Sequence, residues 1–109
     1  MATTLSEQEF RVKSDEVLQA TRHALLPLAD QEGFEVELQN GVLDLVFEEP
    51  RESKFVVSPN APVRQIWVSA MSRSFKLTWD DEREVFALNG EPLVDLLTRL
   101  AREFLGRES

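Results

Sequence analysis

The side chains in this sequence best suited to chemistry are carboxylates. Asp15, Glu16, Asp30, Glu32, Glu35, Glu37 and Asp44 all fall in the first half of the chain, together with the single histidine, His23. Hard cations such as Fe³⁺, Ca²⁺, Mg²⁺ and Mn²⁺ prefer oxygen ligands, and an imidazole adds affinity for Fe²⁺. No dense ligand motif runs through these residues, so the sites they could build are expected to be weak, partly hydrated and poorly selective. His23 is either such a ligand or an ordinary exposed helix residue. The absence of cysteine excludes disulfides, thiolate zinc sites and a cysteine nucleophile. A serine triad would have to recruit His23 without a nucleophile elbow, and four isolated glycines build no phosphate loop. The chain reads as a non-enzymatic protein.

The charge distribution sharpens this. The net charge of -8 opposes the basic footprint that nucleic-acid binding needs. Residues 1–50 carry eleven acids against three bases, and the second half is balanced, so the whole excess sits in the first half. One side of the fold is therefore expected to be a negative surface, either a functional field or a solvated face. No run approaches the roughly 20 apolar residues that cross a bilayer, and the N-terminus lacks the pattern of a signal peptide. A cytoplasmic location without membrane association is the expectation. With 109 residues, the chain suffices for one compact domain, residues 1–109, and is too short for two.

The elements that must position the carboxylates follow from periodicity. Between Ser6 and Gly33, Phe10, Val17, Thr21, Ala24, Leu25 and Leu28 recur at helical spacing. Ser6 and Glu9 fit a capping box and Gly33 a helix stop, while Pro27 should kink or end the helix near its last turn. On the wheel, Glu16, Gln19, His23 and Asp30 lie opposite the apolar stripe, with Asp15 flanking them. Phe34 to Leu38 then alternates at period two, and Asn40-Gly41 favours a tight type I′ turn. In that register Leu38 opposes Leu43, Val36 opposes Leu45 and Phe34 opposes Phe47, while the other face sets Glu37 against Asp44. Opposed like charges are unfavourable in a sheet, which either calls for a cation or basic partner or is tolerated by hydration.

Residues 54–58, 65–70, 74–79 and 84–88 read as four more strands, and Pro92 opens a second amphipathic helix through Phe104 that ends near Gly106. The order is helix, six strands, helix. Two helices with one apolar stripe each must cover one sheet face, giving an α+β two-layer sandwich on an antiparallel sheet of about six strands, with the other face open. In Gln65 to Ala70, Ile66, Val68 and Ala70 share one face, so Trp67 stands on the open one. It is either an interface anchor or packed across strands onto Val56 or Lys76. Trp79 falls with Phe75 and Leu77 on the core side.

These residues together resemble the frataxin family. The resemblance covers about residues 6–105. It rests on the acidic first helix, the hairpin from Val36 to Leu43, and the run from Ser58 through Pro62, Gln65, Ile66 and Trp67 to Ser69, with Trp79 closing the next strand. It implies a bacterial protein that binds iron (Fe²⁺ or Fe³⁺) weakly and modulates iron-sulfur cluster assembly; a monomer is the expected state. By that resemblance the acidic ridge binds iron and docks on the basic surface of a cysteine desulfurase. Asp15, Glu16, Asp30 and Glu35 match the ridge acids, and Glu32 and Glu37 join them by charge and geometry. Gln65 and Trp67 would lie near the iron-sulfur scaffold protein, and Asn60 and Arg64 from the same motif are further partner-binding candidates. His23, Leu26 and Pro27 depart from the acids that relatives carry on helix one, and Ser58 replaces a common asparagine.

Two other functions fit the same residues. A ferroxidase would oxidise Fe²⁺ at paired carboxylates, which requires a defined site that dispersed acids do not suggest. A metal-independent acidic adaptor would use the ridge only to complement a basic protein.

Overall fold

A computed structural model describes residues 5–106. The first helix, α1, spans Glu7–Glu32. The expected capping box closes its start: the Glu9 N–H donates to Ser6 Oγ at 3.1 Å, and the Ser6 N–H donates to the Glu9 carboxylate at 2.9 Å. The bond from the Ser6 backbone holds the Glu9 carboxyl below the usual carboxylate range. At the other end Gly33 adopts φ 83°, the left-handed conformation that glycine reaches without strain, and its N–H caps the Ala29 carbonyl.

One expectation for α1 is decided and another corrected. Of the two outcomes open at Pro27, a kink or an end, the helix does not end there but runs on to Glu32. Pro27 and His23 both lie on the exposed side, where the carbonyl that loses its donor can turn to water. The buried stripe is Phe10, Ser14, Leu18, Thr21, Leu25 and Ala29, whereas Val17 and Leu28 are half-buried and Ala24 is exposed. Small polar side chains take two central positions of the stripe, and the Ser14 hydroxyl donates to the Arg11 carbonyl at 3.2 Å, so its burial leaves no orphan donor.

Seven strands follow in one antiparallel sheet whose spatial order is the chain order: β1 Glu35–Gln39, β2 Val42–Phe47, β3 Ser53–Asn60, β4 Gln65–Ala70, β5 Arg73–Asp80, β6 Val85–Leu88 and β7 Glu91–Pro92. The first hairpin has the expected register, with Leu38 opposite Leu43, Val36 opposite Leu45 and Glu37 opposite Asp44. Asn40 and Gly41 sit at φ 53° and 76°, the pair of positive angles that a type I′ turn requires. Phe34 precedes β1 rather than pairing within it, yet its ring meets Phe47 at 4.7 Å between centroids. The seventh strand departs from the expected six. Asn89 and Gly90, at φ 51° and 84°, make a second tight turn that pairs Leu88 with Glu91 and Ala87 with Pro92 before α2, Leu93–Leu105, begins.

Both helices cover one face of this sheet. The core between the layers includes Leu43, Leu45, Phe55, Ile66 and Leu77 from the strands and Leu96, Leu97 and Leu100 from α2, all fully buried. Phe47 is its aromatic centre, with ring centroids 4.8 Å from Phe55 and 4.7 Å from Phe104. Trp79 packs edge-on against Phe86 at 5.1 Å on this side, half-buried, with the Lys13 ammonium 5.8 Å from its ring.

Candidate interaction surface

Alternation along β1 is what brings the strand carboxylates to water. Val36 turns into the core and Leu38 follows it half-buried, so Glu35 and Glu37 emerge on the open face. In α1 the buried stripe leaves Glu16, His23 and Asp30 exposed on the opposite side and Asp15 exposed at its flank, and Glu32 is half-buried at the helix end. Because α1 lies against β1, the helix acids and the strand acids stand on two adjoining elements along one edge of the sheet.

Along that edge the groups are spread out. Glu37 and Asp44 stand directly opposite each other, and the far neighbour of Asp44 is Val56. Asp15 accepts a hydrogen bond from the Gln19 amide at 3.0 Å. Among the described residues, no base lies within ion-pair distance of Glu16, Asp30, Glu35, Glu37 or Asp44. Nor, among the described residues, does any group of three or more histidine, aspartate or glutamate side chains stand close enough to hold a metal ion. The donors are hard oxygens, the ligand type that hard cations prefer.

The middle of the open sheet face carries the second set of candidates. Trp67 is 38% exposed and pairs with Ser58 on one side and Lys76 on the other. Its indole N–H donates to the Gln65 side-chain carbonyl at 2.9 Å, and the Lys76 ammonium lies 5.0 Å from the ring centroid. Exposure and cross-strand packing thus coexist: the ring is presented to solvent and fixed in orientation at once. Asn60 pairs with Gln65 across β3 and β4, so Asn60, Gln65 and Trp67 form one neighbourhood.

Arg64 is not brought into that neighbourhood. It occupies a left-handed position, φ 51°, after the 3-10 turn Ala61–Val63, and its guanidinium donates to the carbonyls of Leu5 (3.2 Å), Ala61 (3.3 Å) and Pro62 (2.9 Å). These bonds tie the start of α1 to the β3–β4 connection.

A feature without a sequence signal is a groove of about 860 Å³ between α1 and β1, bordered by Gln19, Ala20, His23 and Ala24 on the helix and Val36 to Gln39 on the strand. It exists only because the topology sets α1 beside the first strand. Ala24, read from periodicity as core, is exposed on the helix wall of the groove.

Comparison with known proteins fits this architecture. The sequence model of the Frataxin-like domain matches residues 3–107. The iron-sulfur cluster assembly protein CyaY of Ectopseudomonas mendocina is 30% identical across 96% of this chain and 94% of its own, and CyaY of Cupriavidus pinatubonensis is 31% identical across 86% and 85%. The structure of frataxin from Psychromonas ingrahamii superposes with a TM-score of 0.72 at 15% identity, covering 92% of this chain and 91% of that one. With a family match over nearly its whole length and the same two-layer fold, this chain belongs to the frataxin-like family.

Proposed function

We propose that this protein is a non-catalytic modulator of iron-sulfur cluster assembly, working in the cytoplasm as a monomer. Its acidic edge, from Asp15 and Glu16 through Asp30 to Glu35 and Glu37, binds iron weakly and docks on the basic surface of a cysteine desulfurase, tuning sulfur transfer. Trp67, with Gln65 and Asn60, faces the scaffold protein on which the cluster is built. The observation that carries this reading is the set of exposed carboxylates Glu16 and Asp30 on α1 and Glu35 and Glu37 on β1, which among the described residues have no base within ion-pair distance. Such a field speeds encounter with a basic protein and leaves cations bound loosely enough to exchange. Family membership and the names of the CyaY relatives support the pathway.

A metal-independent adaptor is the second reading, favoured by the absence, among the described residues, of any three-ligand group. Anaerobic NMR of isotope-labelled protein, titrated with a bacterial cysteine desulfurase and separately with Fe²⁺, distinguishes the two. The proposal expects amide signals of residues 15–37 to shift or broaden with each. A response to the desulfurase alone selects the adaptor, and no response to either overturns the docking reading. The double variant Glu35→Lys, Glu37→Lys should weaken desulfurase binding by about tenfold or more with the fold intact, because outward strand residues contribute little to the core.

A further inference from the structure

The β1 strand is the first in the sheet, and among the described residues nothing pairs with its outer edge. Its hairpin closes on a two-residue turn, so Gln39, Glu37 and Glu35 direct their backbone groups to β2, while Val36 and Leu38 direct theirs outward. Beside that outward edge runs the groove against α1, floored by the small side chains Ala20 and Ala24. The opposite side of the strand shows Glu35 and Glu37.

From this we infer that the free edge of β1 accepts an extended basic segment of a partner protein by strand addition. The pattern of the segment follows from pleat geometry. Residues opposite Val36 and Leu38 exchange backbone hydrogen bonds with them and point their side chains into the groove, so they are small and apolar. The residues between them point to the open face beside Glu35 and Glu37, away from Arg22 on the helix wall of the groove, so they are basic. The occupant alternates basic and small apolar residues over the five-residue length of β1.

Charge also disfavours the commonest competitor for a free edge, a second copy of this chain, in the registers that overlap most of β1. An antiparallel pairing centred on Glu37 sets that residue against itself, and one centred on Val36 sets Glu35 against Glu37. Like charges directly opposed are unfavourable, so the acids that blunt self-association also select a basic strand.

This refines the docking reading above by naming the backbone edge as the contact, and it is tested without a desulfurase. Three capped ten-residue peptides alternating lysine with valine are titrated into the isotope-labelled full chain. One is unmodified, one carries backbone N-methyl groups on every valine, and one carries them on every lysine. All have the same charge. Strand addition expects the unmodified and lysine-methylated peptides to shift the amide protons of Val36 and Leu38 downfield and slow their hydrogen exchange. The valine-methylated isomer, unable to donate to the edge, should bind about tenfold or more weakly. Equal binding by the two methylated isomers means charge attraction alone and overturns strand addition while leaving desulfurase docking standing. Preference for the valine-methylated isomer overturns the register, and absence of binding by all three overturns the inference.

Discussion

Glu37 and Asp44 face each other across the β1–β2 hairpin, two carboxylates in register with Val56 beyond them instead of a base. The pair lies on the open face, so its repulsion opposes folding without a local partner to relieve it. Neutralising one member should therefore stabilise the protein. Glu37→Gln is expected to gain a few tenths to about 1 kcal/mol, or roughly 1 to 6 °C in Tm. The gain should shrink in 1 M salt, where the Debye length falls to about 3 Å. Thermal unfolding at low and high ionic strength checks both, and a loss of stability at low salt would refute the assignment.

Trp67 is held by its hydrogen bond to Gln65 and its cation-π contact with Lys76 but buries no core surface comparable to Phe47. Trp67→Ala should leave the far-UV circular dichroism unchanged and lower stability by only about 1 to 2 kcal/mol, the sum of a cation-π contact and partial burial. Binding to the scaffold protein in the assembled complex should be lost, as read by pull-down or assembly kinetics. Unimpaired assembly would count against its role as an anchor.

Phe47 presents the opposite case. Its ring is 1% exposed and touches Phe34, Phe55 and Phe104. Phe47→Ala removes the centre of this cluster and should cost about 3 to 5 kcal/mol, a large share of the roughly 5 to 15 kcal/mol that holds a domain together. Denaturant unfolding is the measurement, and a cost below that of Trp67→Ala would contradict the packing described.

Arg99 donates two parallel hydrogen bonds of 2.9 Å to Glu91, and these bonds hold the Glu91 carboxyl below its usual range. A depressed carboxylate contributes stability above its unfolded pKa, which is lost as pH falls through the folded value. Glu91→Gln should thus be less stable than the parent at pH 7, by at most about 1 kcal/mol for a pair this exposed. The two proteins should converge as pH drops below about 4.3. Tm measured from pH 7 to pH 3 follows the convergence, and a difference that persists at pH 3 would show another cause.

Much of this architecture is legible in the sequence, for identifiable reasons. Asn40-Gly41 and the strict alternation around it fix the first hairpin residue by residue, because a one-residue slip would turn Val36 and Leu38 to water. The facing of α1 is less determined. Apolar residues occupy both 17 and 18, both 24 and 25, and both 28 and 29, and which of each pair is buried depends on where the sheet lies, a long-range fact. The two-residue strand β7 is too short to leave a periodicity, although Asn89-Gly90 carries the same turn chemistry as the first hairpin. Arg64 looks like a surface residue within its motif, and only the path of the chain shows that its guanidinium closes on carbonyls as remote as that of Leu5. Carboxylates on α1 and β1 are visible as a charge excess, but their spacing and the groove beside them arise from how the helix is set against the strand.

The meander has a kinetic meaning. Every strand pairs with its neighbour in the chain, so the sheet can zip up through short loops, each closure costing little chain entropy. The contact between α1 and α2, by contrast, joins opposite ends of the polypeptide. Refolding should therefore show early protection of sheet amides and a rate set by docking the terminal helix, which has little to pack against until the strands stand.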